Sequence, residues 1–254
     1  MSIRVATNYC IFLSALMFAG DTHLEAIAAP TARPIIDGRI QKADPKITKA
    51  EQALVKRKVL TRAKDFWQCD SEFEVCGKTE GFFTSRRAKQ TAFLYRYNST
   101  GHNFANDGIA VFENGKLVGH FAYQGGWEYG IICLPDLDGD GLNEIALEGG
   151  FTNMGESTST VFLYSLNPKK RRRLATILTS DYVESPPAEK PKETAYQLFA
   201  IDGKNPRFET QQYEHVNKKW IKVGAREKVK EERFSQAYKM IDLKSNATIA
   251  DVAD

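Results

Sequence analysis

Between Thr91 and Gly224 the chain turns back on itself every 8 to 12 residues, and that spacing decides what it can become. Short runs of aromatic and β-branched residues are each closed by turn-forming residues: TAFLYRYN (91–98), GIICL (130–134), EIALEGG (144–150), STVFLYSL (159–166), RLATIL (173–178), AYQLFAI (195–201), RFETQQYEHV (207–216) and KWIKVG (219–224). IAVFENGKLVGHFAY (109–123) carries Asn114-Gly115 at its centre, the dipeptide favoured by a two-residue hairpin turn. Connections this short join antiparallel neighbours, because a parallel crossover needs about a dozen residues or more. The chain is therefore expected to be mainly β, an antiparallel propeller-like or sandwich-like domain.

Two stretches have helical periodicity instead. In KITKAEQALVKRKVLTRAKDFW (46–67), apolar side chains recur at Ile47, Ala50 and Leu54 and again at Val59, Ala63 and Phe66, separated by lysine and arginine. That pattern predicts an N-terminal basic amphipathic helix. AREKVKEERFSQAYKMIDL (225–243) repeats it at Val229, Phe234, Tyr238 and Ile241, which predicts a C-terminal helix. Residues 29–45, rich in proline and polar side chains, read as a flexible leader, and 246–254 as a tail. The β-rich domain then occupies residues 68–245.

The N-terminus speaks to compartment. Arg4 precedes the apolar run YCIFLSALMFAG (9–20), and Ala26 and Ala28 stand where a signal peptidase reads small residues. Residues 1–28 are expected to be a signal peptide, making the mature chain periplasmic or secreted. The apolar run is too short to span a bilayer as a stable helix and no later stretch approaches ~18 uncharged residues, so no transmembrane span is expected. The net charge of +3 is too small to indicate nucleic acid. Export also gives meaning to CDSEFEVC, where Cys69 and Cys76 can be bridged by a hairpin or loop; a disulfide is the reading, with two reduced structural thiols as the alternative. Zinc is disfavoured because no histidine lies between residues 24 and 101. Cys133, inside the apolar GIICLP, reads as a buried free thiol.

The densest chemistry lies in DLDGDGLNEIAL (136–147). Asp136, Asp138, Asp140 and Glu144 fall within nine positions. Ionised side by side they repel one another, so a cation is expected among them. Hard oxygen ligands at positions 1, 3 and 5, a backbone carbonyl at 7 and a carboxylate beyond suit calcium. An EF-hand is rejected: it needs a glutamate at position 12 and a helix on each side, whereas position 12 is Leu147 and both flanks read as strands. The expected metal ligands are Asp136, Asp138, Asp140, the Leu142 carbonyl and Glu144, with Ca2+ as the ion.

The spacing D-x-D-G-D-G-x-x-E followed by an apolar strand resembles the calcium loop of FG-GAP or VCBS repeats, the blades of integrin-alpha-like β-propellers. The likeness covers ICLPDLDGDGLNEIALEGG, roughly 19 residues in one full copy. It implies a blade-like loop joining two strands, pinned by calcium.

Catalytic signatures are missing. G-x-S-x-G, H-E-x-x-H, P-loop and G-x-G-x-x-G motifs do not occur, and His102, His120 and His215 have no sequence-local partner. Two stretches are candidates for contact: GGFTNMGESTS (149–159), read as a long polar loop beside the calcium strand, and PKKRRR (168–173), read as a solvated turn or a patch for an acidic partner. The resulting reading is an exported calcium-binding β-domain protein that engages a protein or polysaccharide partner, the ion being structural. The alternatives are a periplasmic inhibitor or immunity-type protein docking on a cell-wall hydrolase, and a secreted hydrolase with a dispersed site.

Overall fold

A computed structural model of the chain describes residues 31–40, 45–63, 73–97, 105–125, 128–153, 155–184, 191–229, 240–244, 247–248 and 250–251. The expected signal peptide, Cys69, His102 and the centre of the expected C-terminal helix lie outside these residues.

The strands follow the turn punctuation of the sequence. In chain order they are β1 (Arg33–Asp37), then helix α1 (Lys49–Ala63), β2 (Phe73–Gly81), β3 (Gln90–Tyr97), β4 (Ala105–Glu113), β5 (Lys116–Gly125), β6 (Glu128–Leu134), β7 (Glu144–Asn153), β8 (Glu156–Ser165), β9 (Arg172–Val183), β10 (Lys192–Ile201), β11 (Arg207–Val216) and β12 (Lys219–Lys228). Three two-residue strands end the chain: β13 (Ile241–Asp242), β14 (Ala247–Thr248) and β15 (Ala250–Asp251). β4 and β5 meet at Asn114 and Gly115, whose φ of 49° and 74° are those of a type I′ turn.

These strands form two antiparallel sheets. The first runs β12-β11-β10-β9-β8-β7-β6, with β1 added to β10 and β15 lying parallel to β9; the second runs β14-β13-β5-β4-β3-β2. The arrangement is sandwich-like. Leu94, Ile109, Val111 and Phe121 of the second sheet share one core cluster with Ile131, Ile145, Leu147 and Tyr164 of the first. The first sheet also coils onto itself, so that Ile36, Leu198, Ala200 and Phe208 share a second cluster with Leu134, Ala146, Val161, Leu163 and Leu174. Strand β7 is thus buried on both faces, which is why EIAL is apolar without alternation.

Helix α1 covers the outer face of the second sheet. Thr48 and Glu51 begin it as a capping box: Thr48 Oγ1 accepts the Glu51 N–H at 3.2 Å and Glu51 Oε2 accepts the Thr48 N–H at 2.8 Å. Val55 and Val59, one turn apart, are buried against Phe73, Val75, Phe93 and Phe112. Ile47, Leu54 and Leu60 pack on the same cluster but are only partly buried. Ala50 is exposed, and Val55 takes the central place.

Three expectations are corrected. The leader is not wholly irregular, because Ile35 and Ile36 draw residues 33–37 into a strand on β10. Residues 149–159 are not a loop; Gly149 to Asn153 and Glu156 to Ser159 are the paired arms of the β7–β8 hairpin. Residues 225–228 and 241–242, expected as helix, are strand. The expected Cys69–Cys76 pairing falls on Cys69, outside the described residues; Cys76 itself is described as a free thiol. It sits at a bulge of β2 and packs on the inter-sheet cluster, and burial pushes its thiol up to about 12. Cys133 is free as expected but only partly buried.

Candidate metal centre

The acidic loop joins β6 to β7, and its own carboxylates fold it. Asp136 accepts the N–H groups of Gly139 at 2.8 Å and Asp140 at 3.2 Å on Oδ1, and of Gly141 at 2.6 Å on Oδ2. Asp138 accepts the Asp140 N–H at 3.2 Å, and Asp140 the Leu142 N–H at 2.8 Å. Short aspartates stabilise turns in this way by reaching back to their own backbone. Gly139 and Gly141 adopt φ of 76° and 77°, where an L side chain is strained. The Arg86 guanidinium, the end of a flexible side chain, lies against Gly141.

The loop is anchored at both ends. Leu137 and Leu142 are buried. Asn143 accepts the Phe82 N–H at 2.8 Å and donates to the Leu134 carbonyl at 3.0 Å, tying the loop to the end of β2. Gly203, between β10 and β11, donates to the Leu137 carbonyl at 2.9 Å, and Arg33 of β1 donates to the Asp136 carbonyl at 3.1 Å.

This geometry gathers Asp136, Asp138, Asp140 and Glu144 so that one oxygen of each lies within 4.8 Å of the others, a group able to hold a metal ion. The fourth expected side-chain ligand is the decisive one. Glu144 is fully buried; its Oε2 accepts the Leu137 N–H at 2.7 Å, while Oε1 has no hydrogen-bond partner. Burial, reinforced by the charges of Asp138, Asp136 and Asp140, pushes its carboxyl up to about 8 against the opposing Leu137 N–H. Without a cation, Glu144 holds a proton at neutral pH. With one, the orphaned oxygen has a partner. Leu142 contributes a buried side chain and an N–H to the loop.

Two residues beyond the sequence motif orient these carboxylates. Arg172 donates to Asp138 Oδ2 at 3.0 Å and to the Lys204 carbonyl at 2.7 Å, both side chains of the ion pair being nearly buried. Asn167 donates to Asp140 Oδ2 at 2.6 Å. Asn167 lies in the β8–β9 connection and Arg172 begins β9, so the basic run PKKRRR is not a free patch. Arg172 serves the acidic loop, Arg171 pairs with Asp242 at 2.9 Å, and only Pro168, Lys169 and Lys170 are fully exposed. Two strands, β7 and β8, separate this run from the acidic loop in the sequence, and their antiparallel pairing brings the two together.

The histidines separate. His120 is buried in the core, its Nε2 2.7 Å from the Tyr95 hydroxyl. His215 lies 2.6 Å from Glu193 Oε2, far from the acidic loop along the sheet. Among the described residues, no helix is long and apolar enough to cross a membrane. Compared with protein-family models, with curated proteins and with solved structures, the chain matches none.

Proposed function

We propose that this chain is an exported Ca2+-binding β protein in which the ion is structural and the role is binding rather than catalysis. Asp136, Asp138, Asp140 and Glu144 hold the ion with the Leu142 carbonyl. The observation that carries this reading is Glu144 Oε1, buried without a partner among three further carboxylates. An all-oxygen, carboxylate-rich donor set suits a hard cation, and an irregular loop suits calcium better than magnesium, which demands near-ideal octahedral geometry. When bound, the ion supplies the positive charge that the carboxylates lack. Arg172 and Asn167 hold Asp138 and Asp140 in place, so little reorganisation is needed. The position of the loop, between two neighbouring strands of the β6–β9 meander, supports the resemblance to an FG-GAP or VCBS blade.

Thermal unfolding across a calcium titration tests the reading. Ligands that bind only the folded state raise stability in proportion to the logarithm of their concentration, and extracellular calcium modules have Kd of about 10⁻⁴ to 10⁻³ M, so millimolar calcium is the working range. The melting temperature is expected to rise with calcium and to fall back with chelator; identical melting in both conditions would refute the proposal.

A further inference from the structure

Away from the acidic loop, the concave face of the first sheet opens into a cleft of about 730 Å³, within the usual range for ligand pockets. We propose that this cleft binds a short neutral oligosaccharide.

The floor is set by strand register. Ser159 lies opposite Ser180, Ser180 opposite Ala195, and Ala195 opposite Tyr213, so these side chains share one face. Of these, Ser159 and Ser180 line the cleft, and their small side chains leave the space that larger ones would fill. Two positions along, the same face presents Glu193 and His215, 2.6 Å apart, and Trp220, whose ring stacks on that of His215 at 4.8 Å. Tyr129, half exposed, stands at the β6 side.

The roof is the turn after β1. Gly38 donates to the Tyr196 carbonyl at 3.0 Å, and a Cβ on Gly38 would lie 2.0 Å from the Thr179 carbonyl oxygen, so only glycine lets the turn close on the sheet. Next to it, the Arg39 guanidinium is paired with Asp37 and lies 3.8 Å above the Tyr213 ring. That pairing holds the Asp37 carboxyl below its usual value, so the pair is ionised at neutral pH.

The charge arrangement selects the ligand. Asp37 is matched by Arg39 and Lys78 by Glu51 at 2.8 Å, Glu193 is hydrogen-bonded to His215, and the Glu148 carboxylate also lines the cleft. An anionic ligand would have to displace Asp37 from Arg39 or Glu51 from Lys78, and would do so beside the carboxylates of Glu148 and Glu193. Sugar hydroxyls need not, since each can donate to a carboxylate oxygen and accept from a guanidinium N–H while the pair stays intact. The C–H face of a pyranose ring lies against aromatic carbon, which Trp220 and Tyr129 supply. The proposal is independent of the metal centre, which lies at the other end of the same strands.

The test is isothermal titration, with tryptophan fluorescence, of the full exported chain against cellotetraose, chitotetraose and maltotetraose, with tetragalacturonate as the charged comparison. At least one neutral tetrasaccharide is expected to bind saturably, and Trp220→Ala and Ser180→Trp are each expected to weaken that binding by about tenfold or more. If Ser180→Trp fails to fold, Glu193→Gln replaces it, with the same expected direction. Calcium-dependent melting shifts of the variants should match wild type, which separates this result from the fate of the metal reading. No binding by any neutral tetrasaccharide, binding unchanged in the folded variants, or binding of tetragalacturonate alone would overturn it.

Discussion

Glu144 shows how a single side chain separates two explanations of an acidic loop. A turn that merely caps its own backbone needs the aspartates; it does not need a fully buried glutamate whose second oxygen is left bare. Glu144→Gln is therefore expected to keep the Leu137 hydrogen bond, melt at or above wild type without calcium, and lose most of the calcium-dependent gain. Asp138→Ala should also lose that gain, and it leaves Arg172 buried without its carboxylate, so its apo form should melt lower than that of Glu144→Gln. The four carboxylates were legible because they fall within nine positions of one another. Arg172 and Asn167 were not, because they reach the loop only through strand pairing. A second buried carboxylate has a different fate. Asp107, raised to about 8 chiefly by burial and then by Glu128, with Arg96 opposing at 2.9 Å, binds a proton on folding. Because its folded value lies above its unfolded one, its contribution to stability is complete below pH ~4 and is lost as pH rises toward 8, by up to about 1.4 kcal/mol per pH unit. The difference in unfolding free energy between wild type and Asp107→Asn should accordingly change between pH 5 and 8 and level off above.

At the level of elements, the sequence was most informative where neighbours in the chain are neighbours in the sheet. The β4–β5 hairpin could be read from Asn114-Gly115 alone. It was least informative where pairing is remote or where a strand looks like a loop. Pro34 disguised β1, whose partner β10 lies more than 150 residues away. The serines, threonines and glycines of 149–159 suggested a connector, yet β7 and β8 hydrogen-bond to each other along their whole length, which satisfies the backbone whatever the side chains. Helix α1 adds an element-scale device. Gln52 donates to the Phe73 carbonyl at 2.7 Å and accepts the Val75 N–H at 2.9 Å, so its amide takes the place of a further strand at the edge of β2. Gln52→Leu, which keeps the bulk and removes both bonds, should cost about 1 to 3 kcal/mol in denaturant unfolding and leave the m-value unchanged.

For the whole molecule, the meander pattern left propeller-like and sandwich-like arrangements equally compatible, because both are made of short antiparallel strands in sequence order. The layering depends instead on which faces are buried, and that appears only when β6, β7 and β8 are seen to contribute to two clusters. The acidic loop sits where the coiled sheet returns on itself, in contact with Arg33 at one end of the chain and Gly203 toward the other. Stabilising it should therefore matter beyond the loop. Gly38→Ala, which drives a methyl group into the Thr179 carbonyl at the opposite end of the same coil, should lower the melting temperature while leaving the calcium-dependent shift intact.

The link between Arg33 and the Asp136 carbonyl also has a kinetic meaning. A cation that holds the loop in shape holds a fastener between segments 103 positions apart, and such a fastener governs how often the N-terminal strand peels away. In a compartment exposed to proteases, lifetime follows from that opening rate or population. Cleavage by trypsin near Arg33 or Arg39 should be the first event in chelator and should slow in millimolar calcium, so that the chain's survival becomes a readout of the ion around it.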